Sequence, residues 1–304
     1  MKDQLQKFLF RQAPVRGEFI ELADMWQQIQ SHHNFPAPVV CLLGEMIGAA
    51  ALLSANIKFD GSLVMQVRGD GPVRLLVVEC DSALKIRATA KLDETASIPA
   101  HATFTDLINA HGKGRCVITL DPHEKIPGQR PYQGIVSLEG DSIAQALENY
   151  MKQSEQLDTR LWLAADSHVI RGLLMQKMPS ATGADGLSES TSEDKDAWQR
   201  LVTLASTLKT GEMLNADIET LRHRLFWEDD IVAFEPQHPV FSCSCNREKV
   251  GNMLKMLGEK EVQKALSEQG DLTIHCDFCG QTYTFDRADC ETLFAEQPSG
   301  QKLH

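Results

Sequence analysis

The chain of 304 residues carries 42 acidic and 30 basic side chains, for a formal net charge of −12. So acidic a surface repels phosphate backbones, and the densest basic run, Arg222-His223-Arg224, is flanked by Glu219 and Glu228, so no nucleic-acid partner is expected. Length suffices for two or three domains, and 42% hydrophobic with 24% charged residues is the composition of a soluble globular protein rather than a disordered one.

The N-terminus, Met1-Lys2-Asp3-Gln4, lacks the apolar core of a secretory signal. A cytoplasmic location is therefore expected, where the eight cysteines serve as thiols or metal ligands rather than as structural disulfides. The apolar run Val39 to Ile57 is long enough to span a bilayer but carries Glu45, which is costly in lipid. It reads as a buried helix opening at Pro38, and no membrane partner is expected.

Strand-like runs follow at Ser62–Arg68, Val73–Glu79, Leu84–Thr89, Cys116–Leu120, Gln133–Leu138 and Arg160–Ala164. Several alternate apolar and polar residues, as a sheet with one wet face does. Gly69-Asp70-Gly71-Pro72 reads as a turn. Asp141–Leu157 reads as a helix behind an Asp141/Ser142 cap, with Ile143, Leu147, Tyr150 and Met151 at helical spacing. Residues 1–180 are thus expected to form a mixed α/β core domain.

Ser180–Asp196 is polar, Gly/Ser-rich and acidic, the composition of a flexible connection. Two apolar stripes follow: Trp198, Leu201, Leu204, Ala205 and Leu208, then Leu214, Ile218, Leu221 and Leu225. Residues 181–240 hold twelve acidic and five basic side chains, a net of −7. Short helices set among acidic stretches need a neighbour to pack on. The segment reads either as a metastable linker or as an ordinary helical spacer.

The last stretch, 241–304, holds Cys243-x-Cys245 and Cys276-x-x-Cys279, thirty residues apart. Two close pairs at the ends of a small module can meet as a tetrahedral Cys₄ zinc site, one ion per chain. Gly280 relieves the backbone after the last ligand. Around the pairs the pattern gives helices over 247–257 and 259–268, broken at Gly258, a hairpin of Leu272–His275 with Thr282–Phe285, and a closing helix over 286–296. His238 and His275 are bystanders, because four thiolates complete the shell. Cys290 reads as packed on the closing helix, and Cys41, Cys80 and Cys116 as small buried side chains. The first pair is unusually close: a Cys-x-Cys disulfide would close a small strained ring of the labile, regulatory kind. The chemistry leaves two readings open, a structural staple or a switch that discharges zinc when its thiolates oxidise. No catalytic constellation is found in 1–180. His111-Gly112-Lys113-Gly114-Arg115 lacks phosphate-loop spacing, and no Gly-x-Ser-x-Gly elbow occurs.

Along nearly its whole length the chain resembles the heat-shock protein 33 family of redox-regulated bacterial chaperones. The resemblance is carried by Gly69-Asp70-Gly71-Pro72, Tyr132-Gln133-Gly134 through Leu138-Glu139-Gly140-Asp141, Ser154-Glu155-Gln156-Leu157, Gly172-Leu173-Leu174-Met175-Gln176 and both cysteine pairs. It implies an α+β protein in three parts: a core (1–180), a metastable helical linker (181–240) and a small zinc-binding redox-switch module (241–304). It implies a non-enzymatic, ATP-independent holdase, inactive when reduced with zinc on Cys243, Cys245, Cys276 and Cys279. On oxidation, disulfides Cys243–Cys245 and Cys276–Cys279 would form, zinc would leave, the linker would unfold, and a homodimer would hold unfolding client proteins. The switch reading thereby gains over the staple. The rivals are a thiol-disulfide oxidoreductase using Cys276 and Cys279, which lacks the expected βαβ context, and a zinc-ribbon adaptor for nucleic acid or a ribosome, disfavoured by the acidic balance.

Overall fold

Residues 3–57, 60–124, 131–178 and 192–295 are described by the structure, a computed structural model. The chain opens with β1 (Gln4–Phe10), β2 (Val15–Leu22), α1 (Asp24–Gln30) and α2 (Ala37–Ser54). It continues through β3 (Gly61–Arg68), β4 (Val73–Asp81), β5 (Lys85–Leu92), α3 (Phe104–Ile108), β6 (Arg115–Pro122), β7 (Tyr132–Val136), α4 (Ile143–Gln153), β8 (Thr159–Ala165) and β9 (Ile170–Lys177). Three helices, α5 (Ser192–Ala205), α6 (Thr210–Asn215) and α7 (Ile218–Phe226), lead to the short strands β10 (Ile231–Ala233) and β11 (Val240–Phe241). The remainder is α8 (Arg247–Leu257), α9 (Glu259–Gln269), β12 (Leu272–His275), β13 (Thr282–Phe285) and α10 (Arg287–Ala295). The fold is α+β, and the chain divides into two compact units, Met1–Ser242 and Cys243–His304. Most of the Gly/Ser-rich acidic stretch expected at 180–196 lies outside the described residues.

In the first unit a five-stranded antiparallel sheet runs β10-β1-β2-β9-β8, and a six-stranded sheet runs β11-β5-β4-β3-β6-β7. Helix α2 packs against strands of both. That role explains its composition: it is apolar on every face, with Leu43, Met46, Ile47, Ala50 and Leu52 fully buried, as a helix caught between two layers must be. By length and composition it could cross a membrane, yet 78% of its apolar window is buried inside the protein. Pro38 sits in its first turn, where a missing N–H costs nothing. Burial pushes the Glu45 carboxyl up to about 7, the sign of an acid short of water.

The five-stranded sheet is covered on both faces. One face sends Ile20, Leu22, Ile170 and Leu174 into the α2 core. The other sends Phe8, Val15, Phe19, Leu173 and Met175 toward Leu201 and Ala205 of α5 and Ile218, Leu221, Leu225 and Phe226 of α7. Strands buried on both faces lose the alternation of a half-wet strand. This is why β2 and β9 escape a period-two reading, while β3 through β8 match the predicted runs to within a few residues.

Aromatic rings anchor the second face. Phe8 stacks on Phe19 at 5.5 Å between centroids, and Phe10 meets Phe226 edge-on at 5.1 Å. Opposite Phe8 in the register is Gly17, where a Cβ would come within 2.1 Å of the Phe8 ring. Arg171, 4% exposed, adds a polar lock. It pairs with buried Glu21 at 3.1 Å and donates to the carbonyls of Met213 (2.9 Å) and Ala216, satisfying groups at the end of α6 that no helical bond reaches.

Four expectations are corrected. The stripe Leu214, Ile218, Leu221, Leu225 is not one helix: α6 ends at Asn215 and Asp217 starts α7, its side chain accepting from Thr220 N at 2.7 Å. Met213 rather than Leu214 is the buried residue of α6. The helix expected over 141–157 spans Ile143–Gln153, capped by Ser142; past it the chain turns through Gln156, whose φ of +56° no helix continues. Cys41 is half-buried, whereas Cys80 and Cys116 are fully enclosed.

Phe226 seals the aromatic seat, so Phe226→Ala should remove roughly 3–5 kcal/mol from helix docking. Hydrogen exchange should then accelerate in α5–α7 while β3–β6 keep their protection. Equal acceleration of both regions would show that the helices and the sheet open as one unit.

Candidate metal centre

The second unit has little core of its own: among the described residues, Leu254, Val262, Leu266, Leu272, Phe285 and Cys290 are its buried cluster. So small a core rarely holds a fold without a staple. Cys290 is fully buried within it, as expected, and burial pushes its thiol up.

Local structure presents each cysteine pair. Cys243 and Cys245 lie on an extended strip just before α8. Asn246 ends that strip as the helix cap, accepting from Lys249 N at 2.8 Å, and Lys249 Nζ donates to Ser244 O at 2.8 Å. Cys243-Ser244-Cys245 is thus tied to the first turn of α8 at its middle residue and just past its end. Cys276 and Cys279 sit in the turn between β12 and β13. Cys276 N donates to Gln281 O and Gly280 N to Cys276 O, each at 2.9 Å. Gly280 adopts a φ of +67°, the conformation anticipated for it and disfavoured for residues with a Cβ. Arg247 braces the hairpin: it donates to Thr284 O at 2.8 Å, pairs with Asp289 at 2.7 Å and lies 4.3 Å over the Phe285 ring.

The four sulfurs converge. Each lies within 4.8 Å of the others, and Cys243 meets Cys276 at 3.6 Å and Cys245 meets Cys279 at 3.4 Å. A tetrahedron of thiolates about 2.3 Å from a central ion has edges of about 3.8 Å, so the cluster has the size and donor set of a metal site. His275 Nδ1 instead meets Thr282 Oγ1 at 3.0 Å, and His238 Nδ1 donates to the Asp3 carbonyl at 2.9 Å.

Electrostatics single out one sulfur. Burial opposes ionisation of Cys245, but the Tyr283 hydroxyl donates to its Sγ at 3.2 Å, the neighbouring thiols add to this, and its pKa falls to about 7. Donation to that sulfur pushes Tyr283 itself up to about 12. Cys243 and Cys279 are pushed upward, chiefly by burial. A divalent cation displaces the remaining protons by its own charge.

The family described as Hsp33 protein matches residues 3–286 of this chain. The chain belongs to the Hsp33 family. The 33 kDa chaperonin of Methylobacillus flagellatus is 46% identical over 98% of this chain and 96% of its own length. That of Pseudomonas paraeruginosa is 45% identical over 96% and 95%. The crystal structure of the 33 kDa chaperonin (heat shock protein 33 homolog) from Thermotoga maritima superposes with a TM-score of 0.77, covering 96% of this chain and 98% of that one; at 19% identity it supports the fold. Hsp33 membership makes this protein a chaperone rather than an enzyme, and it has a four-cysteine cluster able to hold a metal ion.

Tyr283 is the part of this Hsp33 centre that spacing rules do not reach, since no motif ties a tyrosine four residues past the last cysteine to a sulfur 38 residues earlier in the chain. Its donation should matter as outer-shell bonds to metal ligands do. Tyr283→Phe should weaken metal binding about ten-fold, read by competition with a chromogenic chelator. In metal-free reduced protein, thiolate absorbance should begin to rise near pH 7. Loss of the donor should move that rise to higher pH, because the anion loses its stabilising bond. An unchanged titration would remove Tyr283 from the site.

Proposed function

We propose that this chain is a redox-regulated, ATP-independent holdase of the cytoplasm. The observation that carries the reading is the convergence of the four thiols in a unit with a minimal core. It is supported by the first unit, where an aromatic sheet face lies under helices set among acidic stretches. In the reduced state one zinc ion is held by Cys243, Cys245, Cys276 and Cys279, which is the inactive form. Zinc suits a closed all-sulfur shell, and such a site contributes about 10–16 kcal/mol to folding a small module.

On oxidation Cys243 joins Cys245, and Cys276 joins Cys279. Each pair of thiolates gives two electrons to one peroxide, which takes up two protons and leaves as two waters. All four sulfurs converge on one point, so a disulfide within either pair removes two of the ion's four ligands and zinc departs. Without its staple the module unfolds, and the linker, residues 181–240, follows. Phe8, Phe10, Phe19 and Met175 are then bared for unfolding client proteins, and the activated chain is a homodimer. The three functional parts are therefore 1–180, 181–240 and 241–304, with the first two packed together in the resting state. The oxidoreductase alternative is weakened by context, since Cys276 and Cys279 lie in the turn of a two-stranded antiparallel hairpin rather than at the head of a βαβ unit.

Two measurements test this. Reduced protein should contain one zinc per chain with a sulfur-only first shell by X-ray absorption. Cys276→Ser should lose most of that zinc, while Cys290→Ser keeps it. Nitrogen in the shell, or zinc well below one per chain, counts against the assignment.

The second measurement follows zinc release and aggregation of a thermally unfolding client on the same sample, before and after peroxide. Zinc should leave as suppression appears, without nucleotide, and suppression should plateau with the chaperone-to-client ratio. Equal suppression in both states would reduce the metal to a staple. Catalytic turnover of a disulfide substrate, abolished by Cys276→Ser, would replace the holdase reading altogether.

A further inference from the structure

Between the two sheets of the first unit lies a cavity of about 210 Å³, outside the metal centre and the helix-covered sheet face. Its walls are largely apolar, with Leu53, Leu63, Ile118, Leu120, Met151 and Leu174 among them. Two polar constellations interrupt them, and a concave apolar site with a few placed polar groups is the usual form of a small-molecule site.

The first constellation is Arg16, from β2. Its terminal nitrogen donates to Gln176 Oε1, and Gln176 is fixed in turn by donating to Thr159 Oγ1 at 2.7 Å. The Arg16 Nε is buried and meets no acceptor. A guanidinium is always charged and presents donors in a planar fork suited to a carboxylate. Among the described residues none pairs with it as an ion. Glu18, two residues along the same strand, is pushed by burial to about 7 and so carries only part of a charge at neutral pH.

The second constellation is self-contained. Tyr132 and Tyr150 hydroxyls each donate to Glu155 Oε1 at 2.9 Å. Gln156, in the left-handed region at φ +56°, turns the chain directly after Glu155. Gly134 lies beneath the Tyr150 hydroxyl, where a Cβ would approach to 2.0 Å. Strained residues held by surrounding bonds cluster at ligand sites. These are the stretches Tyr132-Gln133-Gly134 and Ser154–Leu157 that mark the family resemblance, and neither the metal centre nor the linker uses them.

We propose that this cavity binds a small monocarboxylate with an apolar body of about eight carbons, its carboxylate on Arg16. A cavity of about 150 Å³ accommodates benzene, which scales to that body size here. The guanidinium of Arg16, a permanent cation on the cavity wall with no ion-pair partner among the described residues, sets the head group. Glu155, already satisfied by two phenols, needs nothing from the ligand. The site is independent of the redox reading and is open to test in the reduced full-length protein.

Octanoate is the probe, with 1-octanol as its neutral counterpart, both titrated by calorimetry. Octanoate should bind one per chain with a dissociation constant of about 1 mM or tighter. 1-Octanol should bind at least about ten-fold more weakly, Arg16→Gln should cost octanoate a similar factor, and Leu120→Phe should abolish binding by filling the wall. Circular dichroism and zinc content report whether each variant is folded. Should either fail to fold, methyl NMR of the wild-type protein decides: octanoate should shift Leu53, Leu63 and Leu120 and leave Leu254 and Leu266 unmoved. Absence of saturation at about 10 mM, equal affinity for 1-octanol, unchanged affinity in folded Arg16→Gln, or shifts spread over both units would each overturn the proposal.

Discussion

The interaction on which the first unit turns is the seating of α5–α7 on the outer face of the five-stranded sheet. Without it, Phe8, Val15, Phe19, Leu173 and Met175 would face water, a contiguous patch of the kind monomeric proteins avoid. The helices that cover it are poor candidates for autonomous structure. They are short, they belong to a segment of net charge −7, and α6 spans a single turn or so. Their stability is borrowed from the sheet, and the aromatic contact of Phe10 with Phe226 and the Arg171 lock are where it is borrowed.

That arrangement has a built-in asymmetry. The inner face of the sheet is sealed by α2, a helix apolar all round and held between two layers, whereas the outer face is sealed by elements that hold little of their own. What ties the cover to the sheet is side-chain contact: Arg171 of β9 donates to the carbonyls of Met213 and Ala216, and α5 and α7 share one apolar cluster with β1, β2 and β9. The same physics recurs in the second unit, where a cluster of six buried side chains among the described residues leaves the fold dependent on whatever ties the four sulfurs together.

The cysteine centre was largely legible before any coordinates. Cys243, Cys245, Cys276, Cys279 and the relief at Gly280 follow from spacing, because short-range ligand geometry is written in residue separation. The hairpin of Leu272–His275 with Thr282–Phe285 was legible for the same reason, being local and alternating. Tyr283 was not, since its hydroxyl reaches Cys245 through pairing of distant segments. Nor was the break between α6 and α7, where the tertiary demand to bury Met213 and cap with Asp217 overrides a continuous apolar stripe.

By itself the sequence determined what depends on neighbours along the chain: the acidic balance that disfavours nucleic acid, the amphipathic strands β3–β8, the buried character of α2, and the paired thiols. Only the tertiary structure decided which surfaces meet. It put β2 and β9 inside a sheet covered twice over, their alternation erased by burial on both faces. It brought Arg171 onto the carbonyls of Met213 and Ala216, joined Tyr132 and Tyr150 through Glu155, and placed Arg16 on the wall of a largely apolar cavity. Apart from Tyr150–Glu155, these contacts link residues tens of positions apart. Nothing in local periodicity encodes them, because a side chain's partner across a core is selected by the packing of whole layers.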